Sequence, residues 1–360
     1  MENKNIPVVI PAYKPDDRLL YLLDAMEEAG IGPVIIVNDG SGESYDEVFT
    51  KAAERLEVIG GCILAHGVNR GKGSALKTAF TYVLERYPNA WGVVTADSDG
   101  QHTIECIRKV MTALEQHRKF LVLGVRDFDS PGIPWRSRFG NKITVRMLRY
   151  VSGLNIQDTQ TGLRGIPRDF MTILLNIRGE RYEFETRMLL ESVGKYPIYE
   201  VPVKTIYDSA ENHQTHFNPL VDSVKIYGVI GKKFLVYAFV SLSSSFLDLL
   251  LFTLFCAVLK SRNANTYIAW STVLARIISA TYNYSLNYKA VFNSDESIVR
   301  SAVKYCVLAI AQMSCSAFFV TLFSRTLAIC PVVIIKVVID TLLFFASYKL
   351  QQKFVFSGKK

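Results

Sequence analysis

Apolar and polar positions follow two different patterns along the chain. Up to about residue 215, short apolar runs end in polar turns and alternate with stretches of helical periodicity. Between residues 234 and 356, long apolar runs are separated by short basic loops, a pattern typical of membrane helices. The sequence therefore predicts an α/β domain over residues 1–217, a juxtamembrane amphipathic helix over 218–233 and an all-α membrane domain over 234–356.

The first part of the chain repeats a unit of one strand and one helix. Apolar runs predict strands over residues 6–10, 34–37, 62–65, 91–96 and 120–125. Such a repeat predicts a mainly parallel sheet with helices on both faces, which binds ligands at the carboxyl ends of its strands. The run at residues 198–203 predicts an edge strand, because Pro202 has no N–H for a central ladder.

The apolar run over residues 91–96 ends in carboxylate and carboxamide side chains. Asp97, Asp99 and Gln101 occupy alternate positions, so an extended backbone directs them to one side. These hard oxygen ligands suit Mg²⁺ or Mn²⁺, which keep coordination positions open for diphosphate oxygens. The pattern indicates a sugar-nucleotide site, and the alternative is a plain polar turn before a helix.

Two other polar turns carry charged residues. Asp39 follows the run over residues 34–37, again at the carboxyl end of a predicted strand. Lys72 stands between Gly71 and Gly73 where a helix begins, a position that favours an anion. The spacing of a P-loop is absent, so an NTPase-type phosphate site is not predicted.

Four segments, in this order and spacing, resemble the family 2 glycosyltransferases of GT-A fold. They are residues 9–13 (VIPAY), 37–41 (VNDGS), 69–73 (NRGKG) and 97–102 (DSDGQH). Within that family the chain is most similar to dolichol-phosphate mannose synthases and bacterial polyprenyl-phosphate glycosyltransferases. The resemblance implies a GT-A fold over about residues 5–230.

The resemblance also implies roles for the matched positions. The nucleotide-binding residues would be Pro11, Ala12, Tyr13, Asp39, Lys72 and Asp97, and the metal ligands Asp97, Asp99 and Gln101. Two departures occur near the expected base pocket: Asn38 replaces the first of two paired aspartates, and Lys14-Pro15 replaces Asn-Glu. The choice between a UDP-sugar and a GDP-sugar therefore stays open.

Residues 158–164 (DTQTGLR) resemble the acceptor segment of the same family. Its hydroxyls, glycine amide and guanidinium suit a phosphate. The acceptor phosphate is expected to be bound by Arg126, Arg136, Arg138 and Arg164, and Asp99, Asp158 and Arg164 are the expected catalytic residues. Asp158 is expected to orient this segment and is a weak candidate for a general base.

Basic and apolar residues alternate with helical spacing over residues 136–149. This pattern predicts an amphipathic helix on an anionic membrane surface, and the alternative is a soluble helix with a solvated basic face.

Four apolar segments in the second part are each long enough to cross a hydrocarbon core of roughly 30 Å. They lie near residues 234–258, 264–284, 303–323 and 327–348. Basic residues concentrate before the first segment, between the second and third, and after the fourth. The positive-inside rule therefore predicts that both termini and the α/β domain are cytoplasmic.

An internal repeat runs through these segments. Residues 253–255 recur as 321–323, and residues 284–292 recur as 348–356, so two helical hairpins are related by duplication. This part resembles the GtrA-like four-helix membrane proteins. The charged residues inside the segments would either form structural ion pairs or bind a lipid phosphate; they are Asp248, Arg276, Lys336 and Asp340.

Composition narrows the choice of partners. The formal net charge is +8, and beside membrane helices the lipid bilayer explains it better than nucleic acid does. The six cysteines lack metal-ligand spacing and are expected to be reduced. The first residues lead into a strand without a signal peptide, which predicts a cytoplasmic first part.

These observations predict an inverting hexosyltransferase in the cell membrane. It would move a sugar from a nucleotide diphosphate sugar to polyprenyl phosphate, for modification of cell-envelope glycans or glycoconjugates. One alternative is a transferase that extends a glycan on a sugar hydroxyl, and another is a flippase whose cytoplasmic domain binds a lipid-linked sugar. A homo-oligomer is left open.

Overall fold

The computed structural model describes residues 5–128, 135–204, 221–260, 266–326 and 331–357, without the side chains of Arg136 and Ser137. The chain forms two compact units, Met1–Ile230 and Gly231–Lys360. The division falls inside a long helix, close to the predicted start of the membrane domain.

A seven-stranded sheet forms the centre of the first unit. Its strands are β1 (Val8–Ala12), β2 (Val34–Asn38), β3 (Gly61–Ala65), β4 (Gly92–Thr95), β5 (Leu121–Arg126), β6 (Arg164–Pro167) and β7 (Ile198–Val203). The order is β3-β2-β1-β4-β6-β5-β7, and every pairing is parallel except those that β6 makes with its two neighbours. The predicted α/β fold with a mainly parallel sheet is confirmed.

Helices connect the strands of this unit. They are α1 (Arg18–Glu28), α2 (Asp46–Ile59), α3 (Lys72–Arg86), α4 (Ile104–Gln116), α5 (Trp135–Ser152), α6 (Arg168–Leu174) and α7 (Glu183–Ser192). Strands β1, β2, β4 and β5 are almost wholly buried, which is why they are continuous apolar runs in the sequence. Strand β7 lies at one edge of the sheet, as Pro202 predicts, and the partly exposed β3 lies at the other.

Long helices form the second unit and the segment that leads into it. They are α8 (Val221–Leu259), α9 (Tyr267–Leu286), α10 (Ile298–Thr326) and α11 (Val332–Leu350). Of the helices in the described residues, α8 and α10 are long and apolar enough to cross a membrane. Arg276 interrupts the apolar sequence of α9, and Lys336 and Asp340 that of α11. Four crossings therefore stay a prediction.

The predicted amphipathic helix over residues 218–233 is not a separate element. Helix α8 runs without a break from Val221 to Leu259, and residues 218–220 lie outside the described residues. No proline stands between Val221 and Leu259, and Gly228 and Gly231 each cost a helix only about 1 kcal/mol. Nothing in the sequence therefore ends the first helix before the membrane segment begins.

The sequence repeat produces reciprocal contacts between the two hairpins. The ring of Tyr284 lies 5.8 Å from that of Phe356, and the ring of Tyr348 lies 5.7 Å from that of Phe292, both at 36°. Tyr284 and Phe292 of the first hairpin correspond to Tyr348 and Phe356 of the second. In each contact, therefore, the tyrosine of one hairpin packs on the phenylalanine of the other. Phe292 and Phe356 also stack on each other at 5.1 Å. Such reciprocity is what a two-fold axis produces, so the hairpins are related by a pseudo-two-fold axis.

Two buried amides meet at the pseudo-two-fold axis. Asn287 Nδ2 donates to Oε1 of Gln351 at 3.0 Å, and these residues occupy equivalent positions of the repeat. Each amide also bonds to the last turn of its own helix, Asn287 to Asn283 at 2.8 Å and Gln351 to Ser347 at 3.1 Å. A buried polar group that loses its partner costs about 1–3 kcal/mol, so these bonds favour this register of the hairpins.

Helices α8 and α10 extend the same symmetry. Tyr237 and Tyr305 each stand 16 residues before a Thr-Leu-Phe sequence. Their rings pack edge-on against Tyr348 at 5.1 Å and Tyr284 at 5.5 Å. The pseudo-two-fold axis therefore relates all four helices.

Charged residues inside the helices join them in pairs. Asp248 of α8 is 3.2 Å from Arg276 of α9, and Asp340 of α11 accepts a hydrogen bond from Ser316 of α10 at 2.5 Å. By the repeat, Asp248 is equivalent to Ser316 and Arg276 to Asp340, so each hairpin has a polar contact at the same place. Lys336 pairs with Asp340 at 2.8 Å. These contacts agree with the interpretation as structural ion pairs.

Candidate active site

The turns predicted to carry chemistry follow neighbouring parallel strands. Strand β1 lies between β2 and β4, and all three run in the same direction. Their carboxyl ends therefore lie at one edge of the sheet. Tyr13, Asp39 and Asp97 follow these three strands directly, which gives this edge the predicted nucleotide-binding side chains.

Lys72 connects two carboxylates at this edge. Its Nζ lies 2.6 Å from Oδ1 of Asp97 and 3.0 Å from Oε1 of Glu185, and all three side chains are largely buried. Burial lowers the pKa of Lys72, but the two carboxylates outweigh it and raise this pKa above its usual range. Burial likewise raises the pKa of Asp97, but Lys72 and His102 hold it well below its usual range. Lys72 and Asp97 are therefore both ionised at neutral pH.

Asp99 and Gln101 lie in the turn after Asp97. Oδ1 of Asp99 accepts the N–H of Gln101 at 3.1 Å. Burial and the neighbouring carboxylate of Asp97 raise the pKa of Asp99, so a cation here would relieve the repulsion between the two carboxylates. In the described ranges no group of three or more His, Cys, Asp and Glu could hold a metal. The donor set fits an Mg²⁺ or Mn²⁺ that shares its coordination with diphosphate oxygens, because such ions are often held by one or two carboxylates.

The predicted acceptor segment packs against Asp97. A Cβ on Gly162 would overlap the carboxylate of Asp97, so any larger residue here would displace that carboxylate from its present position. Oγ1 of Thr95 donates to the carbonyl oxygen of Gly162 at 2.7 Å and holds the segment on β4. The structure therefore brings residues 158–164 beside the predicted nucleotide site.

Asp158 is fully buried within this segment. Arg126 donates to both of its oxygens, through Nε at 2.7 Å and Nη2 at 3.0 Å, and the N–H of Gln160 adds a third bond at 2.9 Å. Because both oxygens are engaged and enclosed, this geometry suits the expected orienting role and not a general base.

Two of the four arginines expected to bind phosphate, Arg164 and Arg126, form hydrogen bonds to other groups of the protein. Arg164 is buried, and its Nε and Nη1 donate to the carbonyl oxygens of Thr161 and Glu185, each at 2.8 Å. Burial lowers the pKa of this guanidinium. Arg164 is thus enclosed beside Glu185, and Arg126 is paired with Asp158. The phosphate contact expected of both residues, and the catalytic role expected of Arg164, stay predictions. Arg138 is half-buried on α5, and the side chain of Arg136 lies outside the described residues.

The residues predicted to contact the base are only partly accessible. Ala12 and Asp39 are buried, and the N–H of Asp39 donates to the carbonyl oxygen of Ala12 at 2.8 Å. The carboxylate of Asp39 faces inward and is hydrogen-bonded to His66 and to two backbone amides, and its expected contact with the base stays a prediction. Pro11 and Tyr13 are partly exposed and stay candidates for that role.

Two family models match successive parts of the chain. Residues 8–173 match Glycosyl transferase family 2, and residues 231–356 match GtrA/DPMS, transmembrane domain. The chain joins a family 2 glycosyltransferase domain to a GtrA/DPMS transmembrane domain. Together with the apolar helices α8 and α10, the second match makes it a membrane glycosyltransferase.

Similar proteins align with the glycosyltransferase domain. A UDP-N-acetylglucosamine–dolichyl-phosphate N-acetylglucosaminyltransferase of Methanococcus voltae is 26% identical over 225 residues, which are 58% of this chain and 88% of that protein. Glycosyltransferase AglJ of Haloferax volcanii is 24% identical over 218 residues, 60% and 67% of the two chains. A dolichyl-phosphate beta-glucosyltransferase of Dictyostelium discoideum is 27% identical over 229 residues, 56% and 68% of the two chains.

The glycosyltransferase domain contains two site residues that were not among the predicted ones, Glu185 and His102. Glu185 is more than 100 positions from Lys72 in the chain, and only the packing of α7 against α3 brings them together. His102 lies 3.4 Å from Asp97, and its position at the end of the motif around Asp99 is the one local signal for it.

Proposed function

We propose that this membrane glycosyltransferase transfers a sugar from a nucleotide diphosphate sugar to a polyprenyl phosphate, with inversion at the anomeric carbon. The observation that carries the proposal is the contact between two predicted half-sites. The cluster of Lys72, Asp97 and Glu185 packs directly against the acceptor-like segment at Gly162. Two of the similar proteins are named for transfer to dolichyl phosphate, which supports a lipid phosphate as the acceptor.

The donor side would use the turns at the carboxyl ends of β1 and β4. Pro11 and Tyr13 would contact the base, and Lys72 would exchange a carboxylate partner for the diphosphate, as a charge-assisted contact. Asp99 and Gln101, with Asp97, would hold Mg²⁺ or Mn²⁺. When bound, that metal neutralises charge on the departing diphosphate.

The acceptor side would rely on positioning. A phosphate monoester has a second pKa of about 6 and is mostly dianionic at neutral pH, so it needs no strong base to attack. The Arg126–Asp158 pair would hold the segment at Gly162 in place, which fits a site that aligns two reactants. Arg136 and Arg138 remain the candidates for direct contact with the lipid phosphate.

Helix α5 would bring this site to the bilayer surface. Trp135, Phe139 and Ile143 form an exposed apolar stripe on it, and Lys142 and Arg146 are exposed beside them. Such a helix suits an interface with anionic lipids. We infer four membrane crossings with both termini and the glycosyltransferase domain in the cytoplasm, from the positions of the basic loops.

The test uses the full-length protein in detergent. Radiolabelled UDP-glucose, UDP-N-acetylglucosamine and GDP-mannose are each offered with dolichyl phosphate or undecaprenyl phosphate, with Mn²⁺, with Mg²⁺ or with EDTA. We expect a sugar-phosphate lipid from one donor, lost with EDTA and restored by the metal. A dolichol without phosphate is the matched control acceptor and should give no product. Transfer to a sugar hydroxyl and never to the lipid phosphate would overturn the proposal.

A further inference from the structure

A buried histidine lies behind the proposed nucleotide site and has no role in it so far. His66 follows β3, with 5% of its side chain exposed. Its Nδ1 is 2.7 Å from Oδ1 of Asp39, after β2, and its Nε2 is 2.9 Å from Oγ1 of Thr78, on α3. A carboxylate only accepts hydrogen bonds, so Nδ1 carries the proton and donates to Asp39. His66 thus connects two strand ends to helix α3.

Asp39 passes this connection on to the backbone of the next turn. Its Oδ1 also accepts the N–H of Arg70 at 2.9 Å, and its Oδ2 accepts the N–H of Gly71 at 2.7 Å. These amides belong to the turn from which α3 begins at Lys72. The imidazole and the two amides thus supply hydrogen bonds to both oxygens of the buried carboxylate, and through the amides Asp39 orders this turn.

The same turn is enclosed from its other side. A Cβ on Gly71 would come within 2.5 Å of the carbonyl oxygen of Glu180, and one on Gly73 within 2.6 Å of Cβ of Phe184. The N–H of Ser74 donates to that oxygen of Glu180 at 3.0 Å. Only glycine at these two positions lets the turn fit between Asp39 and the start of α7. Little freedom remains for Lys72 while the carboxylate of Asp39 stays in place.

We propose that His66 is a positioning residue for the donor, and that it acts through Asp39 to hold the Arg70–Gly71 amides and the ammonium of Lys72 where the diphosphate binds. The role rests on the proposed function and deepens it. Such support is what a binding group needs, because its position must be held to within about 0.5 Å by the residues behind it. No contact between His66 and the substrate is required.

Two amide substitutions separate the two bonds of the imidazole. The side-chain nitrogen of asparagine reaches the place of Nδ1, and that of glutamine reaches the place of Nε2. His66→Asn therefore keeps a donor for Asp39, and His66→Gln keeps a partner for Thr78 but loses the bond to Asp39. Thr78→Val is the matched control, because it removes only the partner of Nε2.

The first measurement is hydrogen exchange of the peptide over residues 67–76 in the full-length protein without ligand. We expect about tenfold faster exchange in His66→Gln, because the amides of Arg70 and Gly71 lose a fixed acceptor. Exchange in His66→Asn and Thr78→Val should stay within about threefold of the wild type. Equal exchange in His66→Gln and the wild type would overturn the proposal.

The second measurement is the kinetics of sugar transfer from the donor that the wild type uses. His66→Gln should raise the donor KM about tenfold and change kcat by less than about threefold, and His66→Asn should restore the wild-type KM. A residue needed only for folding would lower the active fraction in both variants and leave KM unchanged, and that result would overturn the role. If the wild type transfers no sugar at all, the proposed function fails, and the exchange pattern still decides whether His66 orders the turn.

Discussion

Asp97 and Glu185 each pair with Lys72, whereas Asp99 forms no ion pair within the part of the chain that the structure describes. Lys72 and His102 stabilise the negative charge on Asp97, whereas Asp99 accepts the N–H of Gln101 and stands against Asp97. This imbalance is what makes Asp99 the best candidate for a metal ligand in the described residues.

Replacing Asp99 with asparagine should therefore stop the reaction without unfolding the protein. We expect Asp99→Asn to lower sugar transfer by at least about 100-fold, because an amide binds a divalent cation weakly at nearly the same side-chain volume. Transfer rates over a Mn²⁺ series and a thermal melt measure both effects. Ser98→Ala, in the same turn, is the control and should transfer normally. Turnover within a few-fold of the wild type at saturating Mn²⁺ would contradict the metal role.

Asp158 should matter for stability more than for chemistry. Asp158→Asn breaks a bidentate pair and leaves the Arg126 guanidinium, itself only 15% exposed, without its anion. Loss of one partner of a buried pair costs about 3 kcal/mol or more. Denaturant unfolding of the isolated variant should show this loss of free energy. Glu105→Gln, which removes an exposed pair with Lys109, is the control and should leave the free energy of unfolding nearly unchanged.

Local sequence predicts the positions of these residues better than their partners. The apolar run before Asp97 and the alternation that follows it predicted both the strand and the turn. The burial of Arg164 and Asp39 could not be predicted, because it depends on Glu185 and His66, whose contacts form only when distant elements pack. The same limit kept Glu185 out of the predicted site.

Among the elements, the strands were predicted most reliably. Continuous apolar runs correspond to β1, β2, β4 and β5 because both faces of a parallel sheet are covered. The amphipathic stretch before the first membrane segment is not a separate helix, because amphipathic and wholly apolar sequence are equally compatible with one continuous α8. The predicted start of the membrane segment near residue 234 stays a prediction. Composition indicates what surrounds a helix and not where it begins.

The amides on the pseudo-two-fold axis should behave as one unit. Asn287→Leu and Gln351→Leu should each lower the midpoint of thermal unfolding in detergent. Each substitution leaves the other amide buried without its hydrogen-bond partner, which costs about 1–3 kcal/mol of stability. The double variant should cost less than the two single costs added together, because both partners are then apolar. Thr272→Val, on an exposed face of α9, is the control and should have no effect. Strictly additive losses would show that the two amides do not depend on each other.

The whole molecule combines a charged glycosyltransferase domain with a membrane domain, and the net charge of +8 suits the anionic cytoplasmic leaflet. The basic loops then predict which connections face which side. In a background without native cysteines, Lys260→Cys and Arg325→Cys should react with an impermeant thiol reagent in sealed cells. Asp295→Cys should react only after permeabilisation and serves as the inside control. Labelling of Asp295→Cys in sealed cells would contradict four crossings with cytoplasmic termini.

Because of the pseudo-two-fold axis, each hairpin of the membrane unit can be compared with the other. Its two hairpins share a frame of tyrosine, phenylalanine and amide side chains. They differ in the polar contact between their helices, which is Asp248–Arg276 in the first hairpin and Ser316–Asp340 in the second. A chimaera that carries the same hairpin twice would keep the frame and erase the difference. Any property that such a chimaera loses depends on the difference between the two hairpins, and any property that it keeps does not require that difference.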